Sequence, residues 1–480
     1  MRHSRFYYFL YLAAFCLIGA SCARVASPPA QPSLQQQKEE QTFAIKNVNV
    51  IPMTPGNSVL TNVTVIIRNE RITSLNGPVP AGAKLIDGRG KWLIPGLIDM
   101  HVHVPADISL FHKYPTQGAT IFFNTQDVMT PYIANGVTTV LELNSRAEHF
   151  AQRNEIAKGT VIGPRMALAA LLDGGNASGR IVNTPADGRQ AVRSAKAEGY
   201  EFIKVYSHLN VETYKAIVDE AHQQGLKTIG HIPDAFRGRL KEAFVPYFGM
   251  VAHAEEFSKQ TTDFSDQDAQ TFAQLAKDND TWLSPTLTTM KWILSQARSL
   301  DELRASSTLQ YVHPLLQSKW ITANNYSRNT SPERVAYFQK MVDFHVRLVK
   351  AFKAAGVPIV AGTDSGLSGV VAGFSLHDEI ALLAEAGLTP EEALAAATRL
   401  PAKWLGIDGE VGTVEAGKRA DLILLDANPL SDVKNTRNIS GVFVNGRWLS
   451  RHATDAMLAD LARRNNAAKG DYDWKKTISQ

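Results

Sequence analysis

LIPGLIDMHVHV, residues 93–104, is an apolar run that turns through Pro95-Gly96 and carries two histidines, His101 and His103, one residue apart. Side chains alternate along a strand, so the two imidazoles are expected on one side of it, a single step apart. Two neutral imidazoles in that geometry can share one transition metal. The spacing alone is weak, because 13 histidines in 480 residues give such a pair by chance on the order of 0.3 times per chain. The surrounding sequence has to decide what the pair means.

The pair closes the first of eight short apolar segments. The others are GVTTVLEL, GPRMALAALL, EFIKVYS, GLKTIGH, GMVAHAE, TWLSPTL and VPIVAGT, with amphipathic helical stretches such as NVETYKAIVDEAHQQG between several of them. That helix should stop at Gly225, a C-terminal cap glycine. Eight βα units predict an α/β fold, a closed (β/α)8 TIM barrel rather than an open doubly wound sheet. No GxGxxG follows the early strands to argue for a dinucleotide fold. Strand-like segments of another kind flank the barrel: AIKNVNVIPM, NVTVIIRNERITSLNG and KLIDGRGKWLIPG before it, GTVEAGKRADLILLDANP and ISGVFVNGRWLS after it. They predict a small β-sandwich domain built from both chain ends, residues 43–95 and 404–452, around a barrel over 96–403 and ahead of a C-terminal tail, 453–480.

The composition, 44% hydrophobic with 50 basic and 46 acidic residues, is that of a large globular chain. It has no basic stripe, so nucleic acid is not an expected partner; a homo-oligomer is left open. The N-terminus differs in kind. Arg2 and Arg5 precede FYYFLYLAAFCLIGA, too short for a comfortable membrane span, and small residues lead to Cys22. Residues 1–22 read as a secretory signal peptide, which predicts an exported protein of the periplasm or cell envelope. LIGASC resembles a bacterial lipobox, in which Cys22 would be lipidated and tie the protein to a membrane; plain cleavage near Ala20 to Ala23 is the alternative. The polar, proline-containing residues 23–42 suit a flexible tether. Cys16 and Cys22 are the only cysteines, so no disulfide staples the globular part.

Three more predicted strands end in a metal-ligand type: LKTIG at His231, MVA at His253 and PIVAGT at Asp364. Each lies where a parallel barrel strand passes into its C-terminal loop, the face on which this architecture builds its chemistry. One histidine there is more often a hydrogen-bonded structural residue. Four histidines and an aspartate at four strand ends are a constellation. In EFIKVYS, Phe202, Lys204 and Tyr206 share the inward face. A lysine inside a barrel is costly unless paired or modified, and the alternatives for Lys204 are an ion pair with Glu142 or Asp364 or a side chain snorkelling from the mouth. An aromatic-bearing insertion, Pro105 to about Asn124, with Phe111, Tyr114, Phe122 and Phe123, is a substrate-pocket candidate, or else a loop packed on the rim. A second insertion runs from about Lys291 to Thr330. Tyr206, His208, His222, His377, Glu255 and Glu256 are not assigned to the site, and no substrate-binding residue is assigned.

PGLIDMHVH, the lysine of IKVY, IGHIP, VAHAEE and AGTDSG together resemble the ligand set of the amidohydrolase superfamily, in its imidazolonepropionase-like and prolidase-like branch. LTPEEALAAATRLPAKWLGI and GTVEAGKRADLILLDANP extend the resemblance over most of residues 43–450. The resemblance implies that His101 and His103 bind a buried metal, that Lys204, as N6-carboxylysine, bridges it to a second metal on His231 and His253, and that Asp364 binds the first metal and acts as general base. Zinc is the implied ion, one or two per chain. Imidazolonepropionase lacks the bridging lysine, so Lys204 points to the peptidase-like relatives. The implied activity is cleavage of a C–N bond, amide or peptide-type, in a small substrate by a metal-bound hydroxide, with a metal, or His231 as a donor, polarising the carbonyl. The alternatives are a lactonase or esterase on the same site, and a non-catalytic binding lipoprotein on a retired hydrolase fold.

Overall fold

A computed structural model describes residues 41–56, 58–109, 120–175 and 179–479. Residues 1–40, with Cys16 and Cys22, lie outside the described residues, as do Phe111 and Tyr114.

Seven parallel strands, Leu97–Val102, Val137–Glu142, Arg165–Asp173, Phe202–Val205, Lys227–Gly230, Phe248–Ala252 and Trp282–Ser284, pair in chain order. An extended segment, 358–365, runs between the last and the first. Leu283 N donates to Pro358 O at 3.1 Å, Met100 N to Ala361 O at 3.0 Å and His103 N to Ser365 O at 2.8 Å. These bonds close the sheet into the eight-stranded barrel that the apolar segments predict. Asn210 caps the helix Val211–Gln223 by accepting from Thr213 N, and Gly225 follows its end at φ 68°, the left-handed position that glycine takes without strain.

Alternation sorts the strand residues between two cores. Ile98, Leu141, Phe202, Ile229, Met250 and Val360 form one interior cluster, floored by Trp404, Leu405 and Val411. The intervening residues, among them Val140, Leu168, Ile203, Val251 and Ile359, pack outward with the surrounding helices. Lys204 therefore stands one inward step beyond Phe202, and His231 one beyond Ile229. The barrel interior is apolar below and polar at its C-terminal end. Trp404, Leu405 and Val411, which the boundary at residue 404 assigns to the β domain, complete the barrel interior instead.

The flanking segments form a single eight-stranded sheet from Thr42–Val50, Leu60–Arg68, Arg71–Leu75, Lys84–Asp87 and Trp92–Pro95 with Leu422–Leu425, Ile439–Val444 and Arg447–Ser450. Ile423 pairs with Ile94, which joins the two chain ends. The rings of Phe43 and Phe443 meet at 5.3 Å, although their strands are three pairings apart, about 14 Å in a flat sheet. The sheet thus folds over its own core, as a sandwich does. The residues read as a C-terminal tail include a helix, Arg451–Ala467, in which Leu461 is buried.

Two histidines outside the strand ends are structural. His377 bonds Thr436 Oγ1 at 2.9 Å and Asn135 O at 3.1 Å, and His345 Nε2 bonds Ser258 Oγ at 2.8 Å. Burial lowers both pKa values to about 3. A folded pKa below the unfolded value of about 6.5 gives stability that is complete above pH 6.5 and is lost as pH falls toward 3. Acidification from pH 7 to 5 should cost about 2 kcal/mol per histidine. Urea midpoints at the two pH values test this, since the His345→Gln variant should lose about 2 kcal/mol less than the parent over that interval; an equal loss would contradict it.

Candidate metal centre

The first barrel strand does not alternate cleanly. Ile98 and Met100 belong to the interior core, so unbroken alternation would turn His101 outward. Between Asp99 and Val102 the strand advances three residues while its neighbour advances two, Val140 to Glu142. This one-residue bulge re-aims the following side chains, and His101 and His103 enter the barrel with ring centroids 5.2 Å apart. Asp99 remains behind the wall, fully buried. Its Oδ1 accepts from His101 N at 3.2 Å and Thr363 N at 3.0 Å, and its Oδ2 from Thr363 Oγ1 at 2.7 Å. Burial raises its pKa to about 7 against these three donors.

Asp364 emerges from the eighth strand at φ 60°. Its Oδ1 lies 3.3 Å from His101 Nε2 and 3.1 Å from His103 Nε2. One ligand atom from each of these three residues fits within 4.8 Å of the others. His253 follows a strand whose Met250 and Ala252 point inward, so it too should face out. A left-handed backbone, φ 77°, turns it in, and its ring stands 4.5 Å from that of His101 and 4.9 Å from that of His231. Lys204 is 1% exposed, with Nζ 6.0 Å from the centroid of Tyr206, whose ring lies 4.1 Å from that of His231. The five strand ends therefore bring together all six residues singled out in the sequence.

The protein leaves this cluster short of partners. Among the described residues, neither ring nitrogen of His101 nor Nζ of Lys204 finds a hydrogen-bond partner, although all three atoms are buried. The Glu142 and Asp364 ion pairs considered for Lys204 do not form: Glu142 accepts from Val104 N and Asn144 N and lies 3.6 Å from His103 Nδ1. Burial holds His101, His231 and His253 well below the usual imidazole pKa, so they are neutral and competent as ligands. For His103, Asp364 and Glu142 outweigh burial and raise the pKa to about 9. Against burial, the same contact with His103 keeps Asp364 ionised. Burial lowers the Lys204 pKa to about 8, opposed by Asp364, Glu256 and Glu142.

Residues around the cluster orient it. Thr286 Oγ1 holds His253 Nδ1 at 2.8 Å; Ser207 Oγ and Glu256 Oε1 meet His231 Nδ1 at 2.9 and 3.0 Å. In both rings Nε2 is left to face the centre. Glu379, fully buried, accepts from Leu287 N and Thr288 N at 3.0 and 2.8 Å and so fixes the turn that carries Thr286. Sequence reasoning assigned none of these residues. Asp99 offered a signal, two positions before the histidine pair; Thr286 and Glu379, in a loop and on an outer helix, offered none. His208, paired with Asp173 at 3.2 Å, and His222, stacked on Tyr247 at 3.5 Å, stay outside the cluster.

The chain is similar to several known proteins. The ochratoxinase of Aspergillus niger is 25% identical over 392 residues, 71% of this chain and 72% of its own. The imidazolonepropionase of Maricaulis maris is 36% identical over 105 residues, 21% of this chain, and the matched segment spans only 26% of that relative's length. A solved Xaa-Pro dipeptidase with bound methionine in its active site superposes with a TM-score of 0.63 at 22% identity, over 85% of this chain and 100% of that one, a likeness of fold. The amidohydrolase family model matches residues 92–449, from the last strand before the barrel to the end of the small sheet; the chain belongs to the amidohydrolase family.

Proposed function

We propose that the protein is a metal-dependent hydrolase that cleaves an amide or peptide-type C–N bond of a small substrate. The observation that carries the reading is the convergence of His101, His103, Lys204, His231, His253 and Asp364 at the C-terminal end of the barrel, with His101 Nδ1, His101 Nε2 and Lys204 Nζ buried and without a hydrogen bond among the described residues. Each such atom costs on the order of 1–3 kcal/mol if nothing satisfies it. Neutral imidazoles beside a carboxylate are the donor set of a divalent cation, zinc in our reading. His101, His103 and Asp364 would hold one ion, and His231 and His253 a second. Lys204 would serve both as a carbamate, its amine nitrogen bonding to the carbon of carbon dioxide with release of one proton.

When bound, such an ion polarises a carbonyl and acidifies water. The remaining chemistry belongs to the chain. Asp364, kept ionised beside His103, takes the proton of the attacking water and delivers it to the leaving nitrogen. His231, with Nδ1 anchored by Ser207 and Glu256, has Nε2 alone to offer, so it would act on the scissile carbonyl only through an ion it holds. The likeness to an Xaa-Pro dipeptidase, by name a peptide-bond hydrolase, supports a C–N substrate over an ester. We place the enzyme outside the cytoplasm on the reading of residues 1–22 as an export signal with Cys22 as lipid acceptor.

Protein grown with zinc should hold about one to two equivalents of metal per chain by elemental analysis, and Asp364→Asn should lower kcat/KM by about 10²- to 10⁴-fold. Full activity of His101→Asn across dipeptides, N-acyl amino acids and lactones would end the reading, whereas turnover of lactones alone would move it to the ester class. Reconstitution in ¹³C-bicarbonate should give a carbamate carbon resonance that disappears in Lys204→Arg; its absence from metal-loaded protein would remove the bridging role of Lys204. Labelled palmitate should be incorporated in a bacterial host and lost in Cys22→Ser, and an unlabelled, freely released parent would show simple cleavage.

A further inference from the structure

A pocket of about 240 Å³ reaches the metal centre at His103, which lines it together with Ser365 and Gly366, the residues that follow Asp364. Its walls come from four separate parts of the chain. Phe122 and Phe123 close the first insertion, and Val128, Pro131 and Tyr132 follow on the helix Thr125–Ala134. Tyr311, Leu316 and Trp320 come from the second insertion, Val370 and Val371 from the loop after the eighth strand, and Leu461 from the C-terminal helix.

Most polar groups of this wall are already engaged with protein. Asp127 pairs with Arg464 at 2.5 Å, and Asn465 Nδ2 donates to Gln310 O and Val312 O at 2.9 and 3.1 Å. Asn124 caps the helix behind it by accepting from Asp127 N at 3.1 Å. Tyr132 Oη and Ser365 Oγ bond each other at 2.8 Å. The His313 ring packs edge-on between Phe123 and Tyr472, at 4.8 and 4.7 Å, while its Nδ1 accepts from Leu315 N at 3.2 Å. A group entering this space meets mainly carbon and ring faces, so a charged or strongly polar one would lose more water than the wall replaces. A cavity of about 150 Å³ lined by aliphatic and aromatic side chains already takes benzene, so this one has room for a phenyl ring and a methylene or two.

We propose that this pocket receives an apolar, ring-sized substituent of the substrate while the scissile bond lies beside His103 and Asp364, so that the substrates are hydrophobic amides, aromatic or branched aliphatic, rather than small or charged ones. The inference rests on the hydrolase reading and deepens it. Burial of a phenyl group in place of a methyl group should give roughly a 10- to 100-fold preference.

Two readouts test it. Binding of N-acetylphenylalaninamide and N-acetylalaninamide is compared by titration calorimetry on metal-free and zinc-loaded protein, and kcat/KM is compared for dipeptides and N-acyl amino acids matched as phenyl, methyl and carboxylate side chains on either side of the scissile bond. The phenyl compound should bind at least about 10-fold more tightly and phenyl substrates should lead the panel, and Leu316→Trp, which fills the pocket, should bring both ratios toward one. Equal binding within about 2-fold, a preference for carboxylate side chains, or ratios untouched by Leu316→Trp would overturn the inference while leaving hydrolysis standing. A binding preference without hydrolysis of any amide would uphold the pocket and sink the hydrolase reading.

Discussion

The barrel closes at one seam, and the carboxylate of Asp99 holds it. The two strands that meet there lie at opposite ends of the barrel sequence, and between them they carry His101, His103 and Asp364. Asp99 accepts from the backbone of both strands and from Thr363 Oγ1. A buried carboxyl group with three donors is satisfied, whereas the same group with a donor removed would be a buried polar group in deficit. The seam therefore has one good register, and in that register the three ligand-type side chains come within bonding reach of a common point. The ladder alone would hold the strands together, but it would not fix the bulge that turns His101 inward.

Much of the fold was legible because alternation and length are strong signals in buried parallel strands. All eight apolar segments are barrel strands or, for 358–365, the extended segment that closes the barrel. Phe202, Lys204 and Tyr206 share the inner face for the reason the sequence suggests. The histidines were legible only as residue types at strand ends. The route by which His101 and His253 reach the centre was not, because each depends on a break in regularity, a bulge in one case and a left-handed residue in the other. Such breaks store strain that neighbouring bonds must hold, and the neighbours in question, Thr286 and Glu379, are distant in sequence from the histidine they orient. The pocket was half legible: two aromatics of the first insertion do line it, but the contribution of the C-terminal helix could not be read from residues that looked like a tail.

The electrostatics of the centre form a consistent set. Three imidazoles are neutral because burial penalises their charge, and the fourth, His103, is the one that touches two carboxylates. Loading a cation would displace the proton that His103 shares with Asp364 and Glu142, so metal uptake and proton release are one event. The lysine beside them is buried without a hydrogen bond among the described residues, an arrangement that apolar packing would not tolerate on its own account.

The strand Trp92–Pro95 leads directly into the barrel, yet its antiparallel neighbour is Leu422–Leu425, on the far side of the whole barrel sequence. The small sheet consequently remains unfinished until nearly the entire chain is available, and the wall that Leu461 gives to the pocket arrives later still. Contacts of such long sequence separation form slowly, because the loop they close must be ordered first. A ribosome delivering this chain from its N-terminus would thus release an enzyme whose first strands wait for residues 422–450, and whose apolar pocket gains the wall at Leu461 later still.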